Sequence, residues 1–414
     1  MNLPVPRATA VTFLLQVVSI VLLFALHAIV GRRFGASDYG IFALTLSITL
    51  IASEASTLGW SRSVTRFLAE AEAADDPGQY QRIVRRSTIQ TGVVSLLVSF
   101  GLAIAYLLSD SDPVLYSAGL VSAYSGHAVR KKILLQGELP GWAFTPLDIG
   151  LPALAILAVV FARLEDIRSF LLIFIGLAIA SQIVGSVKLL MTIWPSERLT
   201  FSELLPDRQL RISLTVLLGV AAQMVLLRVD VLFLGVVASD ADVGIYAAAA
   251  RLARLCSFLQ AIVALAFTPR IALSFAQGNR FDFRRLVLIS TSLSAAFSLP
   301  VFAFVLAFNR DLSELFGSEF AAGSGLLVTL ATGHLIVGLT GPTASYLVVT
   351  RHEKAYSWPM LAGAILTLTL LLPVHNQWGV AGVAVLMATV LGAMNLIQAF
   401  SFVVLNRSSL AKRQ

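Results

Sequence analysis

The stretch "LLRVDVLFLGVVASDADVGIYAAAARLARL", Leu226–Leu255, sets Arg228 and Asp230 inside a run of Leu, Val and Phe, turns through "ASDAD", and carries Arg251 and Arg254 into the next apolar run. Whether such charges can be tolerated depends on the solvent around them. Of 414 residues 57% are hydrophobic and 13% charged, and the mean hydropathy is +0.84. A soluble domain carries roughly 25% charged residues. Apolar runs long enough to cross a hydrocarbon slab of about 30 Å as helices recur along the whole chain. The composition therefore predicts an all-α, polytopic membrane protein.

The apolar runs and their breaks predict twelve transmembrane helices, near 10–31, 39–60, 89–108, 113–136, 141–162, 169–194, 212–236, 243–268, 286–308, 321–350, 357–374 and 379–405. The fourth is the most polar, because "RKK" at Arg130–Lys132 cuts into it; the triplet is expected at the membrane surface with its stems snorkelling. Of 30 Lys and Arg, only Arg32, Arg33, Arg163, Arg168 and Arg310 fall in connections on one side. Apart from Arg228, Arg251 and Arg254 inside the crossings, the rest fall on the other. That asymmetry predicts two cytoplasmic termini, and it accounts for the net charge of +7 without nucleic acid. The first apolar run is too long for a signal-peptide core, so it reads as a retained crossing. The segment "SRSVTRFLAEAEAADDPGQYQRIVRRS" reads as two short amphipathic pieces around a "DDPG" turn. The outer loop "NRDLSELFGSEFAAG" has room for one turn or a short helix. One cysteine, Cys256, excludes an internal disulfide, and five scattered histidines show no metal-ligand spacing. No metal or cofactor is expected. His27, His127 and His334 lie in apolar runs and read first as packing residues.

A repeat organises the crossings. "SDYGIFA" (Ser37–Ala43) opens the second and "ADVGIYA" (Ala241–Ala247) the eighth, both x-D-x-G-I-aromatic-A, and the same offset carries Arg66 onto Arg270. Six crossings separate equivalent points, so both copies have one orientation and are related by an axis along the membrane normal. Two six-helix lobes are expected, 1–200 and 201–414. Paired repeats of this kind are the build of carriers that bind substrate near mid-membrane and alternate access.

Six formal charges fall within the crossings: Glu54, Asp148, Arg228, Asp230, Arg251 and Arg254. Each costs several kcal/mol against lipid. At about 1.5 Å rise per residue, Asp230 and Arg251 share one depth on adjacent antiparallel helices, with Arg228 and Arg254 slightly deeper. One reading is an Asp230–Arg251 bridge, with Glu54 and Asp148 as the remaining charge partners in a wholly structural network. The other is a cationic cavity whose missing counter-ion is an anionic substrate, since guanidinium groups grip phosphate bidentately. In "GLTGPTASY", Gly341 and Pro342 interrupt the backbone ladder and predict a hinge.

"FGASDYGIFALTLS", "RVDVLFLGVVASDADVGIYAAAARL" and "GHLIVGLTGPTASYLVVTRHEK", with twelve crossings in two repeats, resemble the bacterial polysaccharide flippases. Those are the O-antigen and exopolysaccharide transporters of the multidrug/oligosaccharidyl-lipid/polysaccharide exporter superfamily. The resemblance implies an inner-membrane protein of surface polysaccharide biosynthesis. It would move a polyprenyl-diphosphate-linked oligosaccharide from the cytoplasmic to the periplasmic leaflet by alternating access. On that footing Arg228, Arg251 and Arg254 would contact the diphosphate or acidic sugars, Asp230 would tune them, and Glu54 or Asp148 would serve ion coupling. Implied partners are the lipid-linked oligosaccharide, membrane lipids and other polysaccharide-assembly proteins. A cation-coupled drug or small-molecule antiporter of the same superfamily is the competing class, and it would call for a carboxylate-rich site. A membrane enzyme on polyprenyl-linked sugars would need converging acids, bases or metal ligands beside a sizeable loop, and the connections are too short for that.

Overall fold

The computed structural model describes residues 7–136, 139–162, 164–193, 208–277, 279–350 and 352–411. The lobe boundary expected at 200/201, and Arg163, Arg198, Arg351, Lys412 and Arg413, lie outside the described residues. The chain divides into two compact units, Met1–Ala221 and Ala222–Gln414.

The first unit contains α1 (Arg7–Ser56), α2 (Trp60–Ala73), α3 (Pro77–Ser109), α4 (Asp112–Gln136), α5 (Pro140–Phe144), a π-helical segment Thr145–Gly150, α6 (Leu151–Phe161), α7 (Ile167–Ile193) and the opening of α8 (Arg208–Val237). The second holds the rest of α8, α9 (Asp240–Ala253), a 3₁₀ turn Arg254–Ser257, α10 (Phe258–Ala276), α11 (Arg280–Ala307), α12 (Asn309–Glu314), a 3₁₀ segment Ser318–Gly323, α13 (Ser324–Thr340), α14 (Thr343–Val349) and α15 (Glu353–Ala411). Two helices are hairpins of two crossings each. α1 breaks at Gly35 (φ 85°, ψ 178°) and α15 at Gly379 (φ 60°, ψ −152°), backbone conformations that glycine alone adopts without strain. Counting each hairpin as two and joining segments that continue one another, the described residues form twelve long helical segments and no strand, and eight helices, the two hairpins among them, are long and apolar enough to cross a membrane.

Local chemistry sets the starts. Asp76 caps α3 by accepting from the Gln79 N–H, with Pro77 in the first turn. Ser239 caps α9 through the Asp242 N–H, and Asn279 caps α11 through the Asp282 N–H. Asp166, ahead of α7, accepts from the backbone N–H and the hydroxyl of Ser169 (2.7 and 2.9 Å), which holds its carboxyl below the usual carboxylate range.

One expectation is corrected. Of the two short amphipathic pieces expected around "DDPG", the first is present as α2, but the second is not a separate piece, because α3 runs without interruption from Pro77 through the third crossing. The apolar face of α2 is covered by protein: Trp60, Val64, Phe67, Leu68 and Ala71 are buried against Ile83 and Val84 of α3, Val129 and Ile133 of α4, and Leu210 of α8. The polarity of the fourth crossing also finds its reason. α4 touches α1, α2, α3, α5 and α7, so protein rather than lipid surrounds it and its residues are free of the demand for an apolar surface. In the second unit α13, the corresponding crossing, touches α9, α10, α11, α12 and α15.

Gly59 joins α2 to α8. It sits at φ 81°, and a Cβ there would stand 2.0 Å from the carbonyl oxygen of Ser213, whose hydroxyl is 2.6 Å from that of Ser63. Gly59→Ala is expected to destabilise the protein by about 1–3 kcal/mol through overpacking and left-handed strain together, read as a lowered thermal midpoint of the purified protein in detergent.

Candidate functional site

In the second unit, α8, α9, the 3₁₀ turn, α13 and α15 enclose a cavity of about 40 Å³. Its polar wall is Asp230, Arg254 and His334; Leu226, Leu227, Ala250, Leu330, Met387, Ala388 and Leu391 complete it. Asp230 is 5% exposed. Its Oδ2 accepts from the Tyr246 hydroxyl and its Oδ1 from the Val231 N–H, both at 2.8 Å. Those two bonds, not Arg251, satisfy the carboxylate at hydrogen-bonding distance. The bridge between Asp230 and Arg251 is thus replaced by a tyrosine from one turn earlier in α9, whose rigid ring reaches across to α8.

Arg254 is placed differently. The helix tightens to 3₁₀ at Arg254–Ser257, and the guanidinium Nη2 donates to the Leu227 carbonyl at 3.2 Å. Among the described residues no carboxylate lies within salt-bridge distance of it, although Asp230 lines the same cavity, so its charge is only partly balanced there. His334 lines the same cavity from α13, its Nδ1 held 2.9 Å from the Ser257 hydroxyl. Arg228 and Arg251 are partly buried and engaged in interactions of their own; neither lines the cavity. Of the three arginines singled out in the sequence, the cavity takes Arg254.

The acidic residues of the first unit find partners there. Glu54 accepts from the Ser61 hydroxyl. Asp148 sits in the π-helical segment, where the extra residue per turn re-aims its side chain. Its Oδ2 accepts from Lys131 Nζ at 2.7 Å and lies 3.1 Å from His127 Nε2. Lys131 Nζ also stands 3.9 Å above the Phe144 ring. Arg130 does not snorkel. It is 3% exposed and turns inward, where its Nη1 donates to the side chain and carbonyl of Gln182 and its Nη2 approaches His127 Nδ1 at 3.3 Å. Gly185 makes the room, since a Cβ there would meet the guanidinium at 2.5 Å. In α13 and α14 the backbone breaks at Gly341 (φ 67°) and Pro342, where the interruption was expected.

Sequence reasoning took His127 and His334 as packing residues and Lys131 as part of a surface triplet, and it passed over Ser257 and the role of Tyr246. The signal for Tyr246 was present, because it is the aromatic of the repeated motif. His334 stands alone among apolar neighbours, and only the approach of α13 to the 3₁₀ turn discloses its partner.

The fold is that of a multi-pass membrane transporter. It is similar, at 14% identity, to the inward-facing structure of a multidrug resistance MATE family transporter of the MOP superfamily, with TM-score 0.75 over 95% of this chain and 96% of that one. A MOP superfamily transporter from Pyrococcus furiosus Vc1 (DSM3638), described as having a binding pocket of reverse polarity that suggests a different function, aligns with TM-score 0.69 at 14% identity, covering 98% of this chain and 95% of the other. The straight conformation of MATE aligns with TM-score 0.66 at 15% identity over 99% and 96%. Residues 216–372 match the MatE family, and residues 5–275 match the polysaccharide biosynthesis protein family. The chain belongs to the polysaccharide biosynthesis protein family. A comparison with curated protein sequences found no match.

Two predictions follow from the geometry of the buried charges. Tyr246→Phe removes a hydrogen bond to a buried carboxylate and is expected to cost about 1.5–3 kcal/mol, measured as a drop in thermal midpoint. Lys131→Met leaves Asp148 with His127 as its remaining partner and is expected to cost about 1.5–3 kcal/mol, whereas adding Asp148→Asn should recover most of that loss in a double-mutant cycle.

Proposed function

We propose that this transporter is a flippase for a polyprenyl-diphosphate-linked oligosaccharide, carrying it from the cytoplasmic to the periplasmic leaflet of a bacterial inner membrane, with both termini in the cytoplasm. Arg254 carries the reading. A guanidinium that lines a cavity inside a membrane and has no carboxylate partner is costly unless an anion completes it. The planar fork of guanidinium suits a phosphoryl group. The family match supports the glycan side of the substrate, and the polyprenyl chain would stay in lipid throughout.

Asp230 belongs to the same site as a counter-charge held at fixed distance by Tyr246 and Val231. Arg228 and Arg251 lie on the helices that carry Asp230 and Tyr246 and are assigned supporting contacts to substrate. In the first unit Asp148, with Lys131 and His127 around it, is the better placed of the two acids for ion coupling, because a π-helical turn is a ready place for a local rearrangement. The break at Gly341 and Pro342 supplies a hinge in the tenth crossing. A cation-coupled drug antiporter would call for a carboxylate-rich cavity, whereas this one is lined by a single carboxylate, Asp230, together with Arg254. The chemistry assigned is carriage alone, with no covalent bond made or broken; the partners would be the lipid-linked glycan, the surrounding lipids and the assembly proteins that use the delivered unit.

In cells that depend on this chain for surface polysaccharide, the double substitution Arg251→Ala and Arg254→Ala is expected to abolish the polymer at unchanged protein level, with Arg254→Lys keeping part of it. Normal polymer in the double variant would remove the basis for phosphate recognition.

A further inference from the structure

We propose that Arg254 and His334 form a pocket for one tetrahedral oxyanion, the phosphoryl group of the substrate, and that His334 takes up a proton as the anion binds. The inference rests on the reading of Arg254 given above and adds a second residue and a proton to it.

The cavity, about 40 Å³, has room for a group the size of a phosphoryl beside Arg254 and His334. Arg254 supplies its charge from the 3₁₀ turn, and His334 supplies a ring from α13. With Nδ1 committed to Ser257, the nitrogen His334 has left for a ligand is Nε2. Ser257 is the telling partner. Its single hydroxyl proton has two acceptors within reach, His334 Nδ1 at 2.9 Å and the Arg254 carbonyl at 3.3 Å. When the hydroxyl donates to Nδ1, the ring carries one proton, on Nε2. When the hydroxyl turns to the Arg254 carbonyl, its oxygen accepts from Nδ1–H, so the ring can hold a proton on both nitrogens with Nδ1–H paired to Ser257 and Nε2–H left to be completed by the anion. One side chain thus supports both charge states of the histidine without loss of a hydrogen bond.

The charges facing the ring decide when the second proton stays. Arg254 is the positive group beside it. Asp230, on α8, is held by Tyr246 of α9 and the Val231 N–H. Arg228 and Arg251, on α8 and α9, have interactions of their own. On α15 the wall is Met387, Ala388 and Leu391, all apolar. Two adjacent cations in this low-dielectric wall repel, whereas an oxyanion between them satisfies both. Anion and proton therefore bind together, and lowering pH tightens anion binding.

The test uses the full-length purified protein in detergent or nanodiscs, with sulfate as the probe because its charge does not change between about pH 5 and pH 8. Calorimetry in two buffers of different ionisation enthalpy counts the protons taken up. Uptake approaching one proton per sulfate is expected, with binding tightening by up to about tenfold per pH unit as pH falls. His334→Gln should leave weaker binding that no longer responds to pH, Ser257→Ala should flatten the pH profile, and Arg254→Gln should abolish binding. Thermal midpoints confirm that each variant is folded, and the proton count on the unsubstituted protein needs no variant. A polyprenyl diphosphate added to the nanodisc should displace sulfate; sulfate binding that survives it overturns the assignment to the lipid's phosphoryl group. Zero proton uptake in the unsubstituted protein, or an unchanged pH profile in His334→Gln, overturns the pocket while leaving the flippase reading intact. Normal polysaccharide in the arginine variants removes the flippase reading and leaves the proton count standing.

Discussion

No water reaches the interior of a hydrocarbon slab, so each polar group that this chain carries into its crossings must be completed by another part of the protein. The structure meets that demand for several charged groups within each unit. Asp148 takes Lys131 and His127, Arg130 takes Gln182, and Asp230 takes Tyr246 and a backbone N–H. These partners come from neighbouring crossings, which ties helices together where apolar side chains alone would give little directional preference. The cost of a stranded charge is what makes the packing specific.

The two units solve the problem alike and then diverge. In each, a tyrosine of the second crossing reaches a polar group of the first: Tyr39 to His27 in one, Tyr246 to Asp230 in the other. In each, the fourth crossing lies among several others of its unit and carries the polar residues that lipid would not accept. The first unit completes its cationic residue Arg130 with an amide and fills the space around it. The second stops short, since Arg254 receives one carbonyl and faces a cavity.

Such an arrangement separates two tasks. A charge pair locked by good geometry stiffens a unit, whereas a lone guanidinium beside a histidine with a switchable partner responds to what enters. Asp230 keeps the cavity from being wholly cationic, so the field on an arriving anion is strong without being uncompensated. The π-helical turn at Asp148 and the glycine–proline break at Gly341 mark where the backbone departs from regular helix.

Composition and periodicity by themselves determined that the chain spans a membrane, that it does so in twelve helices, and that an internal repeat organises them. Hydrophobicity integrated over about twenty residues is a local quantity, and the "D-x-G-I-aromatic-A" motif is short enough to be seen directly. The charged residues of the crossings could be named for the same reason, and so could the break at Gly341 and Pro342. Their partners could not. Asp230 and Arg251 share a depth, yet the carboxylate goes to Tyr246, because the rotation of α9 about its axis is set by its packing, chiefly against α13. Arg130 was expected at the surface and instead turns inward, because Gly185, far along the chain, leaves the space for it. His334 and Ser257 are ordinary residues in apolar runs until α13 meets the 3₁₀ turn. Which polar atoms meet depends on helix rotation and register to within an ångström or two, and those are properties of the packed bundle rather than of any one stretch of residues.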